Sequence, residues 1–542
     1  MAFSASYITV YQLGCPKPIN RPRNPPPGPP LSADPAMPAA SHKAPSVYLV
    51  GAGPGDHRLL TLRGVECLGR ADIVLYDYLV NPRLLEHARP GAELVCLGRH
   101  GHGRLLSQDE VNARIVRDAQ AGKVVVRLKA GDPVIFARAA EEVRAVIDAG
   151  LTLEIVPGVT AAMAAGSHAG ISLTDRRSAS AVALVTGHED GEKGEPALDY
   201  AALASFPGTL VFYMGVTTAS TWSEALVAAG KPASTPVAVV RRCSWPDQQT
   251  IHATLGTVAQ TIAERRLRPP AICIVGEVAC WDSTTAWFAS RPLSGRRIVV
   301  TRPIEQADGL RSSLEELGAE VFVQPAIRIE PPENWSALDA TLARLESFDW
   351  IVFSSANGVR ALLDRLCSGP GDLRRLAGAR LAAIGSGTAA ALADYRLKAD
   401  LLPEEFRAEA LAEVLIGQSG QRLLLVRASR GREVLAERLS AAGREVEQVV
   451  AYCSTDVDEP EPSVVAALEA GRIDFITVTS SAIARSLARL LGPHLARAKL
   501  VSISPITSAT LRELGYPPAA EATAYTMDGV VDAILAVSGG NP

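Results

Sequence analysis

The chain has 542 residues, 47% hydrophobic and 21% charged, with glycine and proline together contributing 81. At ~150 residues per domain this composition buries three or four compact units, and it excludes a disordered, collagenous or fibrous protein. A formal net charge of −4 and only 27 aromatic side chains argue against nucleic acid as the main partner. The eight cysteines form no C-x-x-C pair, and none has a histidine at zinc-finger spacing. No disulfide framework or metal site is expected; scattered reduced thiols fit a cytoplasmic enzyme. No run of 18 apolar residues occurs, so no membrane span is expected.

Residues 1–45 read as a disordered leader, because ten prolines between Pro16 and Pro38 remove backbone donors. Met1–Leu13 lacks the cationic start of a signal peptide. From Ser46 short apolar runs alternate with helical patterns, as parallel α/β sheets require. Strands are predicted at VYLVG (Val47–Gly51), ADIVLYD (Ala71–Asp77), AELVCLG, KVVVRLKAGD, LEIVPG, AVALVTG and TLVFYMG. The turn-like SRPLSG at 290–295 reads as a linker, and a fresh strand follows at RRIVVTRP (Arg296–Pro303).

The second block repeats itself. RIVVTR (Arg297–Arg302) recurs 125 residues later as RLLLVR (Arg422–Arg427), and Leu310, Leu314, Gly318, Val321 and Ala326 recur at the same offset. The segment beginning at Asp349 matches that at Asp474, again offset by 125. LAAIGSGTAAAL (Leu381–Leu392) and LVSISPITSATL (Leu500–Leu511) are offset by 119. Two similar α/β lobes with a ligand-binding cleft are the expectation.

The glycine-rich turn after the first strand, GAGPGD (Gly51–Asp56), admits two readings. A dinucleotide site would place Asp77 on a ribose, but Asp56 stands where a third glycine belongs and Pro54 has no N–H for a phosphate. A plain tight turn is the other. The succession that follows is more specific: VVVRLKAGDPVIF (Val124–Phe136), IVPGVTAAMAAGSHAGISLT (Ile155–Thr174), SAVALVTGH, LVFYMG (Leu210–Gly215) and PAICIVGEV. Over roughly residues 46–280 it resembles the uroporphyrinogen-III C-methyltransferases, in the class that also holds cobalamin-pathway methyltransferases.

That resemblance implies two α/β subdomains over 46–289, with S-adenosylmethionine held between them, usually in a homodimer. The cofactor contacts it implies are Pro54, Ala130, Gly131, Asp132, Ile135, Thr160, Ala161 and Met214. Asp77 is the implied base, and Arg99 stands where the family has a lysine. A guanidinium keeps its charge near neutrality, so Arg99 is assigned to substrate carboxylates. Arg138, Arg176 and Arg177 are further carboxylate candidates. Cys243 replaces a glycine that usually helps to hold the cofactor. His100 and His102 read as polar loop residues, and no metal is expected.

Residues 296–540 carry no catalytic triad, paired acid or phosphate loop. TRP (Thr301–Pro303), FSSANGV (Phe353–Val359), the Phe406–Leu411 segment and VVAYCST (Val449–Thr455) resemble uroporphyrinogen-III synthase. The implied fold class is α/β throughout: the two-subdomain methyltransferase fold, then a bilobal α/β synthase domain with interleaved lobes. One lobe takes about 296–326 plus 454–540, the other 335–450. Tyr452 is the implied cleft tyrosine. Ser355, Thr388, Ser480 and Thr507 are candidate substrate contacts, with helix N-capping as the equal alternative.

The function expected is cyclisation of hydroxymethylbilane to uroporphyrinogen III without a cofactor, then methylation at C2 and C7 to precorrin-2. The alternatives are a corrinoid methyltransferase fused to a non-catalytic tetrapyrrole-binding module, and an NAD-dependent oxidoreductase. The partners expected are tetrapyrroles, with no nucleic acid and no membrane.

Overall fold

A computed structural model describes residues 45–98, 106–188, 198–280 and 285–539. The proline-rich leader and Arg99, His100 and His102 lie outside the described residues. Four five-stranded sheets carry the fold. The first holds β1 (Val47–Gly51), β2 (Ile73–Tyr76), β3 (Glu93–Cys96), β4 (Val125–Lys129) and β5 (Leu153–Val156), in the order β3-β2-β4-β1-β5. All its pairings are parallel. Central β1 and β4 are buried along their whole length, as near-continuous Val/Leu runs demand. The helix Gln108–Gln120 starts with reciprocal Ser107 and Glu110 hydrogen bonds, which satisfy two orphan N–H groups.

The second sheet holds β6 (Val182–Thr186), β7 (Thr209–Tyr213), β8 (Pro236–Arg241), β9 (Gln249–Thr254) and β10 (Ala271–Val275), ordered β6-β7-β10-β8-β9. Only β6–β7 is parallel; β10 runs antiparallel to β7 and β8, and β8–β9 is a hairpin. The expectation of parallel sheets is corrected here. The seven-residue connection between β8 and β9 is too short for the crossover that parallel pairing needs. The Trp222 ring stacks on Phe212 at 4.5 Å, and its N–H donates to the Gly215 carbonyl at 2.8 Å.

The remaining two sheets interleave. β11 (Arg297–Val300) and β12 (Glu320–Val323) join β18 (Phe475–Val478), β19 (Lys499–Ser502) and β20 (Ala520–Glu521) in the order β12-β11-β18-β19-β20. The other sheet holds β13 (Ile327–Glu330), β14 (Trp350–Phe353), β15 (Arg380–Ala383), β16 (Arg422–Ala428) and β17 (Glu445–Asp456), ordered β13-β17-β16-β14-β15. The repeated segments take equivalent places: β12, β11, β18, β19 in one lobe match β17, β16, β14, β15 in the other. The chain crosses between lobes near 324–327 and 456–461. There buried Gln324 accepts from the Glu461 N–H at 2.7 Å, and Val457 N–H donates to Ala326 at 3.1 Å.

The segment 290–295 is packed rather than a loose tether. Leu293 is fully buried and donates its N–H to Leu317 at 2.8 Å, while Arg291 lies 3.7 Å above the Phe288 ring. Beside it an ion network joins the two halves. Arg83 pairs with Glu315, and Arg311 with Glu86 at 3.1 Å and with Glu315 at 3.2 Å. His57 lies against the same network. Among the described residues, no helix is long and apolar enough to cross a membrane.

Burial, and then the Arg83 guanidinium, push the His57 imidazole down to about 4. Unfolded, it binds a proton near about 6.5. Through this group the folded state therefore loses stability as pH falls from about 6.5 to about 4, and no more below. Urea unfolding at pH 7 and pH 4.5 is expected to show a smaller acid loss for His57→Asn than for the parent chain.

Candidate functional site

The first site forms at the carboxyl ends of β1, β4 and β5, where parallel strands release loops. Backbones there approach so closely that only hydrogen fits. A Cβ on Gly158 would lie 2.4 Å from the Gly131 carbonyl oxygen, and one on Gly51 2.5 Å from Gly158 Cα. Gly53 and Gly131 exchange hydrogen bonds of 3.1 and 2.8 Å, which lock the first loop to Ala130-Gly131-Asp132. The Asp132 carboxylate accepts from the N–H groups of Val134 at 2.9 Å and Gly158 at 3.0 Å, bracing both loops.

The structure brings the other sequence-derived residues to the same place. Asp77, at the end of β2, accepts from Arg127 at 2.5 Å and from the Ala130 N–H at 3.3 Å. Thr160 and Ala161 start the helix Ala161–Ala169. The Tyr213 hydroxyl lies 2.6 Å from the Thr160 hydroxyl and accepts from the Ala162 N–H at 3.0 Å, and burial raises its pKa. Tyr213 precedes Met214, whose thioether side chain is 48% exposed. Ile135 packs on the apolar cluster that contains Ala162 and Tyr213.

Backbone strain concentrates here. Phe136 (φ 50), Arg138 (φ 54) and Met214 (φ 54) are left-handed without being glycine. Each such residue costs about 1–3 kcal/mol, and strain of this kind collects at ligand sites. The Phe136 ring lies 4.9 Å from Tyr213, which ties two of the strained segments together.

The segment 241–248, which holds Cys243, closes the other side of the first loop. Ser244 accepts from the Asp56 N–H at 2.9 Å, and the Trp245 indole donates to the Pro54 carbonyl at 3.2 Å. A Cβ on Gly55 would strike the indole at 2.3 Å, so glycine is required there. Buried Cys243 sits with Sγ 3.7 Å from the Ala161 carbonyl, directly behind the Thr160-Ala161 step. Phe136, Tyr213 and Trp245 were not singled out from the sequence. Tyr213 had a usable signal in its place beside Met214, whereas Trp245 lay in a loop with no pattern.

The chemistry of this patch suits a ligand without phosphate. Pro54 lacks a donor, and the Asp56 carboxylate is engaged by Arg58 at 2.9 Å. Burial opposes that charge, but the Arg58 hydrogen bonds hold Asp56 below the usual carboxylate range. Bare backbone, small side chains and an exposed thioether fit adenosine and an amino-acid chain, so the residues fit S-adenosylmethionine. Arg176 and Arg177 are exposed, and Arg138 pairs with Glu141 at 2.7 Å. Among the described residues, no group of three or more His, Cys, Asp or Glu is arranged to hold a metal ion.

The second site is a cavity of about 240 Å³ in the lobe of β13–β17, lined by Ser355, Tyr452, Arg427, Arg430 and Arg432 among others. Tyr452 is 8% exposed, and its hydroxyl lies 3.0 Å from that of Ser355, which also caps the helix Ala356–Ser368 by accepting from Gly358 at 3.0 Å. Burial raises the Tyr452 pKa, so the phenol stays protonated. Ser480 caps Ser481–Leu491 in the other lobe, and Thr388 and Thr507 are buried in the first turns of their helices. The cavity thus gathers Tyr452 and Ser355, but its lining does not include Ser480, Thr388 or Thr507. The three arginines were missed, although RASRGR (Arg427–Arg432), which runs over the end of β16, marks them. Across the cleft, Gln306 donates to Asn357 at 2.6 Å.

Comparison with known proteins adds two family matches. Residues 46–259 match the Tetrapyrrole (Corrin/Porphyrin) Methylases, and residues 308–532 match Uroporphyrinogen-III synthase HemD. The Porphyrin biosynthesis protein HemD of Ruminiclostridium josui is 33% identical over 500 residues, covering 91% of this chain and 98% of that protein. The Uroporphyrinogen-III C-methyltransferase of Bacillus subtilis (strain 168) is 39% identical over 330 residues, covering 61% and 68%. Among solved structures, the uroporphyrin-III C-methyl transferase of Thermus thermophilus complexed with S-adenyl homocysteine is 40% identical. It covers 43% of this chain and 93% of that one, with a TM-score of 0.37.

Burial pushes the thiols of Cys243 and Cys273 up to about 12, whereas Cys96, Cys280 and Cys367 are exposed. At pH 8 a thiol of pKa about 12 is thiolate in only about one molecule in 10⁴. Iodoacetamide at pH 8, read by peptide mass, is expected to mark Cys96, Cys280 and Cys367, the exposed thiols among the described residues, in the folded chain. Cys243 and Cys273 should react only after denaturation.

Proposed function

The chain belongs to the porphyrin-biosynthesis family that joins a tetrapyrrole methylase to a uroporphyrinogen-III synthase, and from that premise we propose two successive reactions on one chain. The carboxyl-terminal half closes hydroxymethylbilane to uroporphyrinogen III, and the amino-terminal half methylates that product at C2 and C7 to precorrin-2. The observation that carries the methyltransferase reading is the convergence of Pro54, the Ala130–Asp132 loop, Thr160, Ala161 and Met214 on one strained patch beside Asp77.

S-adenosylmethionine, when bound, supplies an electrophilic sulfonium methyl group. The chain's own groups do the rest. The loops hold donor and pyrrole carbon in line, and placement of this kind supplies most of the acceleration. As the ring carbon bonds to the methyl group, the S–CH3 bond breaks and S-adenosylhomocysteine leaves. The now quaternary carbon leaves the pyrrole cationic. A proton lost from elsewhere in the macrocycle to a base restores neutrality, and Asp77 is that base. Buried Arg127 fixes the carboxylate through a 2.5 Å charge-assisted hydrogen bond.

In the synthase half the enzyme imposes geometry on a substrate that also cyclises by itself to the wrong isomer. The Tyr452 O–H, oriented by Ser355, donates to the departing hydroxyl as water is lost. Arg427, Arg430 and Arg432 receive substrate carboxylates, for which guanidinium is the suited partner. The homodimer and a cytoplasmic setting belong to the same proposal.

The deciding assay is anaerobic turnover of hydroxymethylbilane by the full chain, with and without S-adenosylmethionine, products being resolved by chromatography and mass. The expected product is type III uroporphyrinogen, gaining two methyl groups when the donor is present. Type I isomer alone would reduce the carboxyl-terminal half to a binding module, and failure to methylate authentic type III substrate would overturn the methyltransferase reading. Asp77→Asn is expected to slow methyl transfer by about 10²–10⁴-fold. Tyr452→Phe is expected to slow type III formation about tenfold, the worth of one hydrogen bond.

A further inference from the structure

Behind Asp77, the Arg127 guanidinium continues into a buried charge network whose other members the reaction as described does not use. Glu142, on the helix Ala139–Asp148, is fully buried between two cations of β4. Its Oε2 accepts from the Lys129 ammonium at 2.6 Å, and its Oε1 accepts from Arg127 Nε at 3.1 Å and from Gln108 at 3.3 Å. Lys129 is only 2% exposed. Burial, and then the neighbouring Arg127 charge, lower the Lys129 pKa. Burial also opposes the Arg127 charge, yet the carboxylates of Asp77 and Glu142 keep its pKa above normal.

The donors of Arg127 are committed in one fixed pattern. Nε goes to Glu142, and Nη1 to the carbonyls of Leu128 at 3.0 Å and Leu75 at 3.5 Å, which leaves Nη2 for Asp77 at 2.5 Å. A guanidinium is planar and rigid, so the bond at Nε fixes where Nη2 points. Asp77 is itself only partly buried, and among the described residues its carboxylate has one other hydrogen bond, from the Ala130 N–H. Its orientation is therefore set from behind, by a carboxylate that no substrate can reach.

We propose that Glu142 is a positioning residue for methyl transfer, holding Arg127 so that the Asp77 carboxylate keeps one orientation toward the substrate ring. The proposal rests on Asp77 as the base. Lys129 is the second counter-ion of Glu142, and the two carboxylates balance the two cations of the cluster. A buried ion network serving only the fold would satisfy the same charge count. The two roles differ in what happens when charge is kept and geometry is changed.

Glu142→Asp does this, because it retains the carboxylate and withdraws it by one methylene. In the full chain supplied with uroporphyrinogen III, its kcat for methyl transfer is expected to fall at least tenfold. The KM for S-adenosylmethionine and calorimetric affinity for S-adenosylhomocysteine should stay within twofold, and synthase turnover should not change. Glu142→Gln combined with Lys129→Met removes one charge of each sign. It is expected to melt near the parent's temperature and show the same loss of kcat with binding intact. Parental kcat in either folded variant overturns the proposal. So does loss of the fold or of S-adenosylhomocysteine binding in both, which would make Glu142 a structural residue. Asp77→Asn, assayed beside them, separates this result from failure of the base assignment. Parental kcat there removes the base itself, whereas a slow Asp77→Asn beside an unchanged Glu142→Asp removes only the positioning role.

Discussion

The methyltransferase half is organised around a contact between backbones. At the carboxyl ends of β1, β4 and β5, Gly51, Gly131 and Gly158 stand so close that a single methyl group on Gly51 or Gly158 would collide with main-chain atoms. That proximity lets the first loop and the Ala130–Asp132 loop bond directly, and it lets one side chain, Asp132, brace two loops. It also leaves the main chain there without side chains between the loops. Phe136, Arg138 and Met214 carry strained backbone in the same half. Strain there persists because the surrounding sheets are buried and rigid, not because the loops themselves favour it.

The synthase half follows a different rule. Its two sheets are copies in connectivity, and each places a serine N-cap at the same point, Ser355 in one lobe and Ser480 in the other. Only one copy gathers the cluster of tyrosine and arginines. Duplication thus supplies the scaffold, and divergence at strand ends supplies the chemistry. The hydrogen bond from Gln306 to Asn357 spans the cleft and joins the two copies.

Much of this was legible in the sequence, for definite reasons. Val/Ile/Leu runs bounded by glycine announce buried strands, and a constant offset of 125 announces two lobes, because both patterns are enforced by packing. The tight loops after β1 and β4 were legible because close contact requires their glycines, as Gly55 against Trp245 shows. What escaped was set by tertiary approach. Nothing near Glu142 in sequence marks it as the partner of Lys129 and Arg127, since helix and strand meet only after folding. The antiparallel β8, β9 and β10 escaped because a strand's composition does not record its direction. Trp245 escaped because its partner lies 191 residues away.

The interleaving of the lobes carries a consequence for the order in which the chain is made. β11 lies between β12 and β18 in its sheet, so the middle of that sheet is a strand delivered only after the whole of the other lobe. During synthesis the methyltransferase half can close first, since domains generally fold as units from the amino terminus. The β13–β17 lobe can close next, because its five strands are contiguous in the chain. β11 and β12 must wait as an unfinished pair until β18, β19 and β20 emerge. An edge held open in this way is the part of the nascent protein most exposed to wrong pairing. The ribosome therefore releases the synthase half last, when the methyltransferase half already stands complete.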